Sequence, residues 1–78
     1  MKLKFTRSSR RHRIGRAHTL FVINNVEPSI SINDRGEQEY HWLGMDDRDV
    51  SLEIAAVVVE DGVMLVLHVM PSSYRRNR

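Results

Sequence analysis

Cysteine is absent from the 78 residues, so no disulfide and no thiolate metal ligand can brace the fold. That suits a reducing cytoplasm without requiring one. Long apolar runs are missing too: none approaches the ~20 residues needed to cross a bilayer. The basic start "MKLKFTRSSRRHR" lacks the apolar segment of a signal peptide. These absences predict a soluble, cytoplasmic chain with no membrane contact. Gly-rich phosphate loops and nucleophile elbows do not occur, and no two histidines have zinc-site spacing. "MDDRD" lacks the Gly and Glu framework of an EF-hand, so it reads as an exposed turn. No metal and no cofactor are expected.

What is present is a small chain with an uneven charge. A chain of this length buries only about 60% of the surface its unfolded form exposes, so a partner can add to its stability. Net charge is +2, yet Lys2, Lys4, Arg7, Arg10, Arg11, Arg13 and Arg16 precede the first acid. All ten acids lie between Thr19 and Gly62, and Arg75, Arg76 and Arg78 close the chain. Basic ends around an acidic middle suit an anionic partner, RNA first among candidates. The plainer alternative is a pair of solvated basic tails, residues 1–13 and 72–78.

No repeat or linker divides residues 1–78, which read as one domain. "KLKFT" alternates as a short edge strand would. "SSRRHRI" allows one exposed helical turn capped by Ser8 or Ser9. In "GRAHTLFVINNVEP", Ala17, Leu20, Phe21 and Asn24 follow helical spacing, and Pro28 ends the run. The period then changes to two. "SISI", the turn "NDRG", and "QEYHWLG" with Tyr40 and Trp42 on one face read as a hairpin. "VSLEIAAVVVE" and "VMLVLHVM" flank Asp61-Gly62, a strong two-residue hairpin signal, and Pro71 ends the last strand. The expected fold is α+β: an N-terminal helix, or two short ones, packed on a four-stranded antiparallel meander.

With Asp61-Gly62 as the loop, Glu60 pairs with Val63, Val58 with Leu65, Ala56 with Leu67 and Ile54 with Val69. That row gives one apolar face for the helix. The other face pairs Val59 with Met64, Val57 with Val66, Ala55 with His68 and Glu53 with Met70. His68 and Glu53 thus become diagonal neighbours on the second face.

The residues resemble a family at this point. "RRHRIGRAHTLFVI", "HWLGMDDRDVSLEIAAVVVEDGVMLVLHVM" and "SSYRR" are similar to the opening, sheet and end of BrnT-type toxins of type II toxin–antitoxin modules. More distantly they resemble the RelE-like ribonuclease fold. The resemblance implies a growth-inhibiting toxin that cleaves RNA and is neutralised by a cognate antitoxin protein. It places Arg11 and His12 at the family's basic-His pair, and Arg75 and Arg76 at its C-terminal arginines. Met70 departs from it, standing where the family's last strand tends to end in arginine, and His68 stands where a small residue is usual.

Cleaving RNA without a metal requires a base for the 2′-hydroxyl, an acid for the leaving oxygen, and cations for the developing charge. His68 is the acid/base candidate, with Glu53 to hold its ring and Arg75 to clamp the phosphate. Arg10, Arg11, His12, Arg13, Tyr74 and Arg76 are candidate RNA contacts. His18 and His41 read as structural, and so does His68 if its pairing with Glu53 is its only task. The expected function is a metal-independent endoribonuclease toxin. The alternative is a non-enzymatic module that docks a protein or nucleic acid through its sheet. Tyr40, Trp42, Val57 and Met64 are its candidate partner contacts, with Val59 and Val66 also exposed. A second face in need of cover favours a homodimer or heteromer.

Overall fold

The computed structural model describes residues 2–60 and 62–73. Its elements are β1 (Lys2–Phe5), a 3-10 helix (Ser8–Arg10), α1 (Arg16–Asn25), β2 (Ser29–Ile32), β3 (Gln38–Met45), β4 (Ser51–Glu60) and β5 (Val63–Pro71). The strands form one sheet in the order β1-β5-β4-β3-β2. The α+β class is as expected, and β2 to β5 form the antiparallel meander. The strand count is corrected. "KLKF" joins as a fifth strand, parallel to β5, so the sheet is mixed rather than four-stranded and antiparallel. Leu3 and Phe5 pack on the core from one side of β1, while Lys2 and Lys4 remain exposed, as period two dictates. Lys2 and Lys4, the start of the basic N-terminal run, are therefore built into the sheet, and the 3-10 helix that follows packs on β5.

The β4–β5 ladder matches the expected register at both ends and departs from it in the middle. Glu60 pairs with Val63, Ala55 with His68, Ile54 with Val69 and Glu53 with Met70. Between them Val58 pairs with Met64, Val57 with Leu65 and Ala56 with Val66. One irregularity leaves Val59 extra on β4, and a second leaves Leu67 extra on β5. Two bulges on opposite strands cancel, so the register recovers, but the stretch between them shifts by one. The shift turns Met64 and Val66 into the core, where they lie 5% and 0% exposed. Their expected place on an exposed second face is thereby corrected.

Thr6 and Ser8 secure the bulge on β5. The Thr6 hydroxyl donates to the Val66 carbonyl at 2.8 Å, and the Ser8 hydroxyl to the Leu67 carbonyl at 2.7 Å. Backbone groups that a bulge takes out of register are thus satisfied by side chains.

Helix α1 lies on the face carrying Trp42, Leu52, Ile54, Ala56, Val66 and Val69. It buries Thr19 and Val22, whereas Phe21 is 40% exposed and Ala17 and Asn24 face solvent. "LFVI", Leu20 to Ile23, is apolar on every side, so spacing alone does not select the packed stripe. Gly44 of β3 receives the helix end: a Cβ there would come within 2.6 Å of Val26 Cγ2. Among the described residues, no helix is long and apolar enough to cross a membrane.

Candidate active site on the second sheet face

The face opposite α1 is assembled row by row from strand pairing. Ser29 of β2 pairs with His41 of β3, His41 with Ala55 of β4, and Ala55 with His68 of β5. One row thus carries two histidines on the strands either side of an alanine. The small Ala55 side chain leaves a depression between the imidazoles. In the next row Leu43 pairs with Glu53, and Glu53 with Met70, which sets Glu53 diagonal to both histidines. Glu27, Ser29, His41, Glu53, Ala55 and His68 line a solvent-open cavity of about 550 Å³.

The basic segment reaches the cavity from the β5 side. After β1 the chain follows the outer edge of β5, where the Thr6 N–H donates to the Val66 carbonyl. The 3-10 helix then packs on β5 and carries Arg11 and His12 towards His68. Burial lowers the His68 pKa from the ordinary 6.5, Glu53 opposes that shift, and the charges of His12, His41 and Arg11 reinforce it. His68 is therefore mainly neutral at pH 7 and able to accept a proton. Acidic groups hold the other flank: Glu39 Oε1 lies 3.8 Å from His41 Nε2, and Glu27 stands at the rim. Arg11 thus acts on His68 from the β5 side, while Glu27 and Glu39 stand towards β2.

The structure places His68 and Glu53 together as expected, with Arg11 and His12 nearby. Arg10 instead turns back, its guanidinium donating to the Phe5 carbonyl at 3.4 Å. Arg13 is exposed and adopts the left-handed backbone, φ 57°. Tyr74, Arg75 and Arg76 lie outside the described residues, as does Asp61 of the expected turn. The partner contacts are largely corrected. Trp42 is 4% exposed, Val57 6% and Met64 5%, and Tyr40 is half-buried against the core, its ring 5.8 Å from that of Trp42. Val59 does remain 40% exposed. Sequence alone gives His41 no evident role, because the β3–β4 loop conceals its register. Its one sequence signal is that Tyr40 and Trp42 face the core, which sends His41 to the other side.

"MDDRD" is more ordered than an exposed turn. Asp46 is buried; its Oδ1 accepts the N–H groups of Arg48 and Val50, and its Oδ2 accepts two bonds from the Arg48 guanidinium. Burial pushes its carboxyl up, but the Arg48 and Val50 hydrogen bonds together outweigh burial and hold it below 3.8. His18 Nδ1 lies 2.6 Å from Asp47 Oδ1, and potential ligand atoms of His18, Asp46 and Asp47 fall within 4.8 Å of one another. Both Asp46 oxygens are already engaged, so this group serves as a loop clasp.

Comparison with protein families, with curated proteins and with solved structures found no match.

Proposed function

We propose that this chain is a small metal-independent endoribonuclease, a toxin acting in the cytoplasm and neutralised by a protein antitoxin. The observation that supports this reading is the row His41–Ala55–His68, with Glu53 diagonal to it and Arg11 and His12 alongside. His68 takes the proton from a ribose 2′-hydroxyl, whose oxygen attacks the adjacent phosphorus. His41 gives a proton to the departing 5′-oxygen, leaving a 2′,3′-cyclic phosphate. Glu53 positions His68, and Arg11 stabilises the charge on the non-bridging oxygens. The gap above Ala55 is where the phosphate sits.

Leu43 and Met45 support a covering partner. Both point to the cavity face of β3 and are 58% and 55% exposed, apolar surface that an antitoxin would bury. The same two side chains favour the second reading, a non-enzymatic docking module. The readings part on one assay: purified chain at substoichiometric amount is mixed with single-stranded RNA, and products are tested for cyclic phosphate ends. Turnover by wild type and its loss in His68→Ala and His41→Ala are the expected results. Equal cleavage by all three, or none by wild type, removes the enzyme reading. A docking module would instead lose its partner through Leu43→Asp and keep it in His68→Ala.

A further inference from the structure

The two edges of the sheet are built differently. β1 presents Lys2 and Lys4 along a short strand, charges that discourage pairing with another edge. β2, "SISI", has no charge, proline or bulge, and all four of its residues are exposed, with Ile30 at 53% and Ile32 at 64%. Among the described residues no strand pairs with its outer side. The turn that follows the strand is closed by hydrogen bonds. Asn33 Oδ1 accepts the N–H groups of Arg35 and Glu37, and Gly36 takes the positive φ of 80° that closes the turn.

We infer that β2 is a homodimer edge, pairing antiparallel with β2 of a second copy to continue the sheet across a two-fold axis. The backbone selects the register. The Asn33 N–H donates inward to the Glu37 carbonyl, so alternation turns Ser31 and Ser29 inward and leaves the N–H and C=O of Ile30 and Ile32 facing out. Only registers that set an even-numbered residue against another even-numbered one can form bonds. Setting Ile30 on Ile30 brings Ile32 against Pro28, which has no N–H. Setting Ile32 on Ile32 sends Ile30 against Asp34, which lies in the turn. Ile30 against Ile32 uses every outward group of both strands and forms four backbone bonds.

That same register is complementary in its side chains. Four isoleucines, two from each copy, meet on the helix face, and Ser31 meets its own counterpart. Glu27 of each copy comes alongside the turn carrying Arg35 of the other, giving two exposed ion pairs related by the two-fold. Both cavities then open on the same side of one continuous sheet, with Glu27 and Ser29 on the seam. Two short strands bury less than a standard interface, so a micromolar dissociation constant is expected. The dimer stands whether or not the cavity cleaves RNA.

Sedimentation equilibrium of the full chain over a concentration series tests this. Wild type is expected to approach twice the 9.1 kDa chain mass. Ile30→Pro removes an outward N–H without touching the β2–β3 ladder, so it should sediment as a folded monomer, its fold checked by circular dichroism. Glu27→Arg and Arg35→Glu should each weaken the dimer up to about tenfold, and the double swap should restore it. A monomeric wild type, a dimer that survives Ile30→Pro, or a double swap no better than either single change would each overturn the proposal.

Discussion

His41 and His68 stand on the two strands that flank β4, in register with each other across Ala55. Neither Arg11 nor His12 is near either histidine in sequence, yet their charges reach His68 because β1 and the 3-10 helix follow the edge of β5. Replacing either histidine by alanine is expected to slow RNA cleavage by about 10²–10⁴-fold, the usual contribution of one acid–base group. Circular dichroism should show an unchanged fold, since His41 is exposed and His68 only half-buried.

The pH profile provides a sharper check. Burial, with His12, His41 and Arg11, places the His68 pKa below 6.5, so cleavage by the free protein should rise with pH along a limb centred below that value. Glu53 opposes the shift, so Glu53→Gln should move the limb lower still, and Arg11→Ala should move it up. Stability follows the same sign. The unfolded chain binds more protons than the fold between the depressed pKa and 6.5, so stability should fall as pH drops through that window. A limb that ignores both substitutions would detach His68 from the chemistry.

Ala55 tests the cavity itself. A leucine there fills the space between the imidazoles while leaving both in place. Cleavage should fall roughly a hundredfold, the scale of an ångström-sized misplacement of substrate. Thermal denaturation should be little changed, because Ala55 is half-buried beside an open cavity.

Much of this arrangement is legible in the sequence, and the rest is hidden for two reasons: stretches apolar at nearly every position, and pairing between segments far apart in the chain. The Asp-Gly signal placed Glu60 against Val63, and counting outwards set His68 and Glu53 on one face, diagonal to each other. The same count put Leu65 and Leu67 into the core in place of Met64 and Val66. "VMLVLHVM" is apolar at nearly every position, so period two has no polar marker to reveal a bulge. The helix stripe is hidden for the same reason, because Leu20 and Phe21 look as apolar as Val22. Alternation with Tyr40 and Trp42 gives the face of His41, but its place in the row with His68 depends on pairing across a longer loop that no local pattern records. "KLKF" showed its alternation, but its parallel partner lies some sixty residues away.

Asp46 predicts the acid limb of stability. Its carboxylate holds the β3–β4 loop through four accepted bonds and is stabilised in its charged form. A folded pKa below 3.8 means that this contribution is present above the unfolded value and is lost as pH falls through the folded one. Asp46→Ala should cost about 2–3 kcal/mol at pH 7, as expected for hydrogen bonds to a charged acceptor. Urea titrations at neutral pH and near pH 3 should show that deficit shrinking in acid. A constant deficit at both pH values would mean that the loop does not depend on the charge.

Gly44 makes the last prediction, on the join between helix and sheet. The Cβ of an alanine would lie 2.6 Å from Val26 Cγ2, closer than carbon atoms approach, and a tight 3.2 Å from Cγ1. Val26 cannot swing aside cheaply, because a β-branched side chain is stiff at χ1 and this one packs on the core. Helix and strand must then separate locally, so Gly44→Ala should cost about 1–3 kcal/mol, the usual penalty of overpacking. Val26→Ala alone removes apolar contacts and should also destabilise. Combined, the two alanines fit the space that one valine and no Cβ now fill, so the double variant should be more stable than the sum of the single losses predicts. Urea denaturation of the four proteins measures that coupling. A coupling near zero would mean that the helix end does not rest on Gly44.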